Sequence, residues 1–174
     1  SWIGCYENRV TANRAPATEC NAPRLRCDLL RIAACCYSPG MKQAAGSEVQ
    51  TPLTTAIVGM GGFAGHHLEQ ILNDEAGQSL ELTAAIDPDP SGCAHLAALA
   101  ERGTPIYDSI DAYAAGPPAD LVIVSTPIHL HREHTVKVLQ HGSHVYCEKP
   151  VAATIQDAHA MAKARDASGR RVAI

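Results

Sequence analysis

The chain has few aromatic residues, little net charge and no long apolar run, and each shortage excludes a class of protein. Aromatics make up only 4% of its 174 residues, so aliphatic side chains must fill any core. A net charge of −4 without any cluster of Lys and Arg argues against a nucleic-acid partner, because phosphate binding needs a basic surface. No apolar stretch approaches the roughly 20 residues that a membrane-spanning helix requires. We therefore expect a globular protein with neither a membrane nor a nucleic-acid partner.

Cysteine is scarce outside the first 40 residues, which hold five of the seven. The other two, Cys93 and Cys147, lack CxxC spacing. We expect Cys93 in a helix and Cys147 at the end of a strand. Two reduced thiols without disulfide spacing indicate a cytoplasmic enzyme.

Residues 1–40 show almost no hydrophobic periodicity, and only Leu25–Tyr37 has an interrupted amphipathic pattern. The run Ile32–Cys35 resembles a lipoprotein cleavage site, but the segment before it is too charged for a signal peptide. Met41 lies where a natural translation start would be expected. We therefore expect residues 1–50 to be an unstructured or artefactual extension, and residues 51–174 to be the folded domain.

Short apolar runs alternate with amphipathic segments from Thr54 onward, which is typical of βαβ units in an α/β fold. The expected fold is a Rossmann-type doubly wound parallel sheet. Because the chain stops as a strand begins, we expect a truncation before a further domain. The pattern predicts strands at 54–58, 80–86, 105–107, 121–125, 144–147 and from 172, and helices at about 64–72, 93–102, 109–115, 131–140 and 154–166.

A glycine-rich turn joins the first predicted strand to the first helix. Gly59, Gly61 and Ala64 fit the pattern GxGxx(G/A) in the strand–turn–helix context that gives this motif its meaning. Gly59 permits the tight turn, Gly61 allows close approach of a pyrophosphate to the helix N-terminus, and Ala64 lets the helix pack on the sheet. Gly62 and Phe63 lie in the same turn and are also predicted to bind the cofactor.

Asp87 ends the second predicted strand, where a carboxylate can accept hydrogen bonds from an adenosine ribose and repel a 2′-phosphate. No Arg follows it, because Pro88, Asp89 and Pro90 come next. This favours NAD over NADP. The alternative is a purely structural glycine turn with a solvated Asp87.

Two further motifs resemble those of the Gfo/Idh/MocA family, the glucose-fructose oxidoreductase and inositol dehydrogenase group. They are the runs Ser125–His131 (STPIHLH) and His144–Pro150 (HVYCEKP), and the resemblance covers about residues 54–174. At the position after the Thr-Pro pair, where the family often has Asn, this chain has Ile128. The resemblance implies an NAD(P)-binding domain in which Lys149 faces the nicotinamide, binds substrate and relays a proton, and in which Thr126, Pro127 and Glu148 shape the nicotinamide site. Ser125, His131 and Lys149 are also candidate cofactor-binding residues.

The resemblance also implies an activity, which is hydride transfer between nicotinamide and a secondary alcohol or ketone of a sugar, cyclitol or related polyol. The family's second domain supplies an Asp and a His near the substrate, and a sheet that mediates homo-oligomerisation. Alternatives are a family member acting on a non-sugar substrate and a non-catalytic dinucleotide-binding or sensing module. In the latter, Lys149 would be an ordinary surface lysine.

Nine histidines raise the question of a metal site. The spacing of His129, His131 and His134 matches no zinc pattern, so we expect no metal. His131 is interpreted as a helix-start residue near the cofactor. His66 and His67 are interpreted as a partly exposed helix face.

Overall fold

The computed structural model describes residues 51–73 and 79–174. The expectations for residues 1–50, including the extension, the amphipathic pattern at Leu25–Tyr37, the five cysteines and the start at Met41, lie outside the described residues. Within the described ranges, no helix has the length and apolar character needed to cross a membrane.

Six parallel strands form one sheet in the order β3-β2-β1-β4-β5-β6. From β1, the strands β2 and β3 are added in turn on one side. The chain then crosses to the other side of β1 and adds β4, β5 and β6 in turn. This order confirms the doubly wound Rossmann-type sheet. The strands are β1 (Leu53–Val58), β2 (Leu80–Ile86), β3 (Ile106–Tyr107), β4 (Leu121–Val124), β5 (His144–Cys147) and β6 (Val172–Ala173).

Five helices connect these strands, with short 3₁₀ turns at Pro90–Gly92 and Ile128–Leu130. They are α1 (Ala64–Asn73), α2 (Leu96–Glu101), α3 (Ile110–Tyr113), α4 (His131–His141) and α5 (Ile155–Ser168). All five lie where the sequence predicts a helix, with bounds that differ by a few residues.

The largest difference is at α2, which was expected to begin at Cys93. The Asp89 carboxylate accepts the Ser91 N–H at 3.2 Å and caps the separate 3₁₀ turn that begins at Pro90. Cys93 follows that turn and precedes the helix, so its predicted helical position is wrong. Proline at the first position and aspartate at the cap favour this early turn.

The helix ends follow their local signals. The Thr154 hydroxyl accepts the Asp157 N–H at 3.1 Å and donates to its carboxylate at 2.7 Å, confirming the predicted N-cap of α5. Gly142 adopts φ +110° directly after α4, which confirms its predicted role as a C-terminal cap.

Both faces of the sheet are buried beneath helices. Val58 and Val124 pack on one face with Leu139 of α4. Ile57, the neighbour of Val58, points to the other face and packs with Leu68 of α1. Because both sides of these strands are covered, their sequences are almost continuously apolar.

Candidate functional site

A cavity of about 920 Å³ lies at the carboxyl edge of the sheet, near the upper end of the size range for ligand pockets. It sits where the chain reverses its winding direction, between β1 and β4, and ligands of open α/β sheets bind at that point. The sequence-predicted site residues that line it are Gly59, Gly61, Gly62, Phe63, Asp87, Ser125, Thr126, Pro127, His131, Glu148 and Lys149. Ala64 is fully buried beneath the turn instead, where a small side chain allows close packing.

Four of these residues each directly follow a strand and continue its hydrogen-bond ladder. The Gly59 N–H donates to the Ile86 carbonyl at 2.8 Å, and the Asp87 N–H donates to the Tyr107 carbonyl at 2.9 Å. In the same way, Ser125 follows β4 and Glu148 follows β5, with N–H···O distances of 2.8 and 2.9 Å to the adjacent strand. The rigid sheet therefore fixes the backbone of the site at four points.

The glycine turn contains two glycines with different requirements. Gly59 has φ +88°, and a Cβ there would lie 2.5 Å from the Ser125 carbonyl oxygen, closer than any side chain tolerates. Gly61 does not have positive φ, and a Cβ there would meet no atom within 4 Å. Gly59 is therefore required by packing, whereas Gly61 keeps its backbone open to the cavity.

The turn leads directly into α1. The N–H groups of Ala64 and Gly65 donate to the carbonyls of Gly61 and Gly62, both at 3.2 Å, so the helix begins at the turn itself. The positive partial charge at the N-terminus of α1 suits an anion such as a pyrophosphate.

Asp87 is held by the backbone on both of its carboxylate oxygens. One oxygen accepts the Met60 N–H at 2.7 Å and the other accepts the Asp89 N–H at 2.9 Å. Each oxygen keeps a further lone pair, so the group can still accept hydrogen bonds from a ligand. Hydrogen bonds from Ser91 lower the pKa of Asp89, which places a second negative charge at this end of the site.

His131 begins α4 as expected, but its ring nitrogens contact the protein backbone. Nε2 lies 2.7 Å from the Thr126 carbonyl and Nδ1 lies 3.0 Å from the Pro150 carbonyl, and the residue is only 2% exposed. His131 thus ties together the two loops that carry the STP and EKP motifs.

His134 contacts the same loop from the next turn of α4, through a hydrogen bond of 3.1 Å between its Nδ1 and the Thr126 hydroxyl. Burial lowers the pKa of His134, so the ring is neutral at neutral pH. A neutral ring can accept the hydroxyl proton at Nδ1.

His67 contacts a residue that lines the cavity, and the sequence interpretation missed this. The expected partly exposed face holds for His66, which is exposed, but not for His67, which is 7% exposed. His67 Nε2 lies 2.7 Å from Glu148 Oε1. Its position is a signal that sequence could have supplied, because His67 falls at i+3 from Ala64 on the buried face of α1.

Lys149 is exposed and lines the cavity. Its backbone N–H donates to Glu148 Oε2 at 3.2 Å. Among the described residues its ammonium group forms no ion pair with a carboxylate. The side chain is therefore available to a ligand in the cavity.

In the described part of the chain, no group of three or more His, Cys, Asp or Glu side chains is arranged to hold a metal ion. His131 and His134 both have the hydrogen bonds given above, and the exposed His129 lies in the 3₁₀ turn before α4.

Known proteins similar to this chain include sugar and cyclitol dehydrogenases. The D-glucoside 3-dehydrogenase of Escherichia coli (strain K12) is 36% identical over 124 residues, which is 70% of this chain and 33% of that protein. The scyllo-inositol 2-dehydrogenase (NADP(+)) of Bacillus subtilis (strain 168) is 45% identical over 64 residues, which is 37% of this chain and 18% of that protein.

Among solved structures, the WlbA dehydrogenase from Bordetella pertussis, in complex with NADH and UDP-GlcNAcA, matches with a TM-score of 0.62 and 31% identity. The match covers 70% of this chain and 36% of that one. The chain thus spans about a third or less of the length of these relatives.

The model of one protein family, described as an oxidoreductase family with an NAD-binding Rossmann fold, matches residues 53–174. The matched segment contains all six strands, the glycine turn and the EKP loop. The chain belongs to this family, the Gfo/Idh/MocA oxidoreductases, and holds its NAD-binding domain.

Proposed function

We propose that this chain is the cofactor-binding half of an oxidoreductase that transfers a hydride between a nicotinamide dinucleotide and a secondary alcohol or ketone of a sugar, cyclitol or related polyol. The observation that carries the proposal is the convergence of the glycine turn, Asp87 and Lys149 on one cavity. Named relatives that act on glucosides and inositols support the substrate class. They also favour an enzyme over a non-catalytic dinucleotide-binding module.

The residues of the cavity fit a dinucleotide from end to end. Gly61 and Gly62, at the N-terminus of α1, are proposed to bind the pyrophosphate, with Phe63 beside them. Asp87 is proposed to accept hydrogen bonds from the adenosine ribose. Its negative charge, close to that of Asp89, disfavours a 2′-phosphate and supports NAD as the cofactor.

The nicotinamide end is assigned to the loops after β4 and β5. Ser125, Thr126 and Pro127, which follow β4, and Glu148 and Lys149, which follow the adjacent strand β5, all line the cavity. His131 links these two loops through the carbonyls of Thr126 and Pro150. A bound dinucleotide supplies the hydride donor or acceptor at this end.

The proton chemistry is assigned to Lys149. Oxidation of an alcohol releases a hydroxyl proton, and reduction of a ketone requires one, so a proton-transfer group must contact the substrate oxygen. Lys149 is the exposed amine at the nicotinamide end of the cavity. In its ammonium form it donates to the substrate oxygen, and as the free amine it accepts the hydroxyl proton.

The location and assembly of the complete protein belong to the same proposal. Cys93 and Cys147 are both buried and free, which supports a reducing, cytoplasmic location. Homo-oligomerisation stays a prediction from the family resemblance.

Turnover by a Lys149→Ala variant of the complete protein tests the proposal, with glucosides, inositols and nucleotide sugars as substrates. We expect kcat to fall about 10²–10⁴-fold, the usual contribution of a proton-transfer group. Lys163→Ala, the same change at an exposed position of α5, is the matched control and should leave kcat unaltered. Unaltered turnover by Lys149→Ala with every substrate would remove Lys149 from the chemistry.

A further inference from the structure

His67 occupies a buried position between the glycine turn and the EKP loop. It is the fourth residue of α1 and packs edge-on against the rings of Phe63 and Tyr146, with centroid distances of 5.3 and 5.7 Å. A polar ring in such surroundings needs a hydrogen-bond partner. His67 finds its partner 81 residues away, in Glu148.

The contact between these side chains is short and shielded from water. His67 Nε2 donates to Glu148 Oε1 at 2.7 Å, because the carboxylate can only accept. The two side chains are 8% and 12% exposed, so little water competes for the bond. Hydrogen bonds to an ionised group are shorter and stronger than neutral ones.

Glu148 also contacts the backbone of the next residue. Its second oxygen accepts the backbone N–H of Lys149 at 3.2 Å. A continuous path therefore runs from α1 through His67 and Glu148 to the backbone of Lys149. The same helix begins at the turn assigned to the pyrophosphate.

We propose that His67 is a positioning residue, which holds Glu148 and thereby the backbone of Lys149 against the helix that binds the dinucleotide. This inference rests on the proposed function and adds to it a coupling between two parts of the site. Without the His67 N–H, the partly buried Glu148 carboxylate lacks its side-chain partner and turns toward solvent. The Lys149 amide then loses its acceptor, and its position beside the nicotinamide is no longer fixed.

Replacing His67 by Leu removes the donor but keeps an apolar, helix-compatible side chain in the buried position. Replacing it by Gln restores an N–H donor at about the reach of Nε2. His66 is the matched control, because it is the adjacent histidine, is exposed, and has its ring beside those of Phe63 and His67 rather than beside Glu148. The variants are compared in the 174-residue chain by hydrogen exchange of the Lys149 amide and by NADH titration.

We expect His67→Leu to accelerate exchange of the Lys149 amide about tenfold and to weaken NADH binding by a similar factor, as loss of one charged hydrogen bond implies. His67→Gln should recover most of both effects, and His66→Leu should show neither. If His67 served packing alone, the opposite result would be seen: His67→Leu would behave like the wild type in both measurements, and His67→Gln would not.

Unchanged Lys149 exchange in a folded His67→Leu variant would overturn the inference, as would a failure of Gln to restore it. The exchange comparison is made without dinucleotide as well. If the wild-type chain binds no NADH, the proposed function fails, whereas the exchange data still decide whether His67 holds Lys149.

Discussion

Alanine substitutions at Gly59 and Gly61 separate the structural role of the glycine turn from its ligand-binding role. The two positions are two residues apart and undergo the same chemical change. Gly59 has φ +88°, and its new Cβ would lie 2.5 Å from a backbone oxygen of Ser125. Gly61 lacks positive φ, and its new Cβ would meet nothing within 4 Å. We therefore expect Gly59→Ala to damage the fold and Gly61→Ala to damage only binding.

The expected magnitudes follow from these contacts. At Gly59, the left-handed backbone costs an L-residue about 1–2 kcal/mol, and relief of the contact with Ser125 adds about 1–3 kcal/mol. The sum, about 2–5 kcal/mol, is a large share of the stability of a domain this size. At Gly61 we expect a change within about 0.5 kcal/mol, or a gain of up to about 1 kcal/mol from the reduced entropy of the unfolded chain.

Urea denaturation followed by circular dichroism measures the first effect, and NADH fluorescence titration measures the second. We expect the midpoint of Gly59→Ala to fall by about 1 M or more, while that of Gly61→Ala stays near the wild-type value. Gly61→Ala should bind NADH about tenfold or more weakly, because its methyl group occupies space assigned to the pyrophosphate. Wild-type NADH affinity in Gly61→Ala, or wild-type stability in Gly59→Ala, would refute the reasoning.

Three further predictions concern the carboxylate, the histidines and a buried thiol. Asp87→Ala should weaken NADH binding and reduce the preference for NADH over NADPH, both measured by parallel titrations. An unchanged preference would contradict the assignment of Asp87 to the ribose. Burial lowers the pKa of His134 and His144 below 6.5, so the unfolded chain binds more protons below that pH. Stability should be full above pH 6.5 and decline as the pH drops from 6.5 toward the lower folded-state values, seen as a declining urea midpoint, and a flat profile would be inconsistent with this. Burial raises the pKa of Cys147 to about 11. Peptide mapping after treatment with iodoacetamide at pH 8 should therefore find Cys147 unmodified in the folded protein. Rapid labelling would show an accessible thiolate and contradict this prediction.

The fold could be predicted because its signals are local. Buried parallel strands such as Leu121–Val124 are continuously apolar, and the glycine turn stands between a strand and an amphipathic helix. Capping residues such as Thr154 and Gly142 mark helix ends within a few positions. Each of these signals is complete within about ten residues of sequence, so no tertiary contact had to be known in advance.

The candidate site was predicted less completely because two of its contacts join distant segments. The helical period places His67 on the buried face of α1, but nothing near it in sequence indicates Glu148 as its partner. His131 was predicted to lie near the cofactor from its place in a motif. That it bridges the carbonyls of Thr126 and Pro150 depends on how two loops meet at the sheet edge.

The central claim is that the carboxyl edge of this sheet binds a dinucleotide, and the most direct test is an amide ¹H–¹⁵N titration of the isotope-labelled chain with NADH. Well-dispersed signals first establish that the chain is folded. We expect saturable shifts confined to the turn at Gly59–Gly62, to Asp87, and to the loops at Ser125–Pro127 and Glu148–Lys149, with β6 unaffected. A folded chain whose spectrum does not change on addition of NADH, or changes elsewhere, would contradict the account.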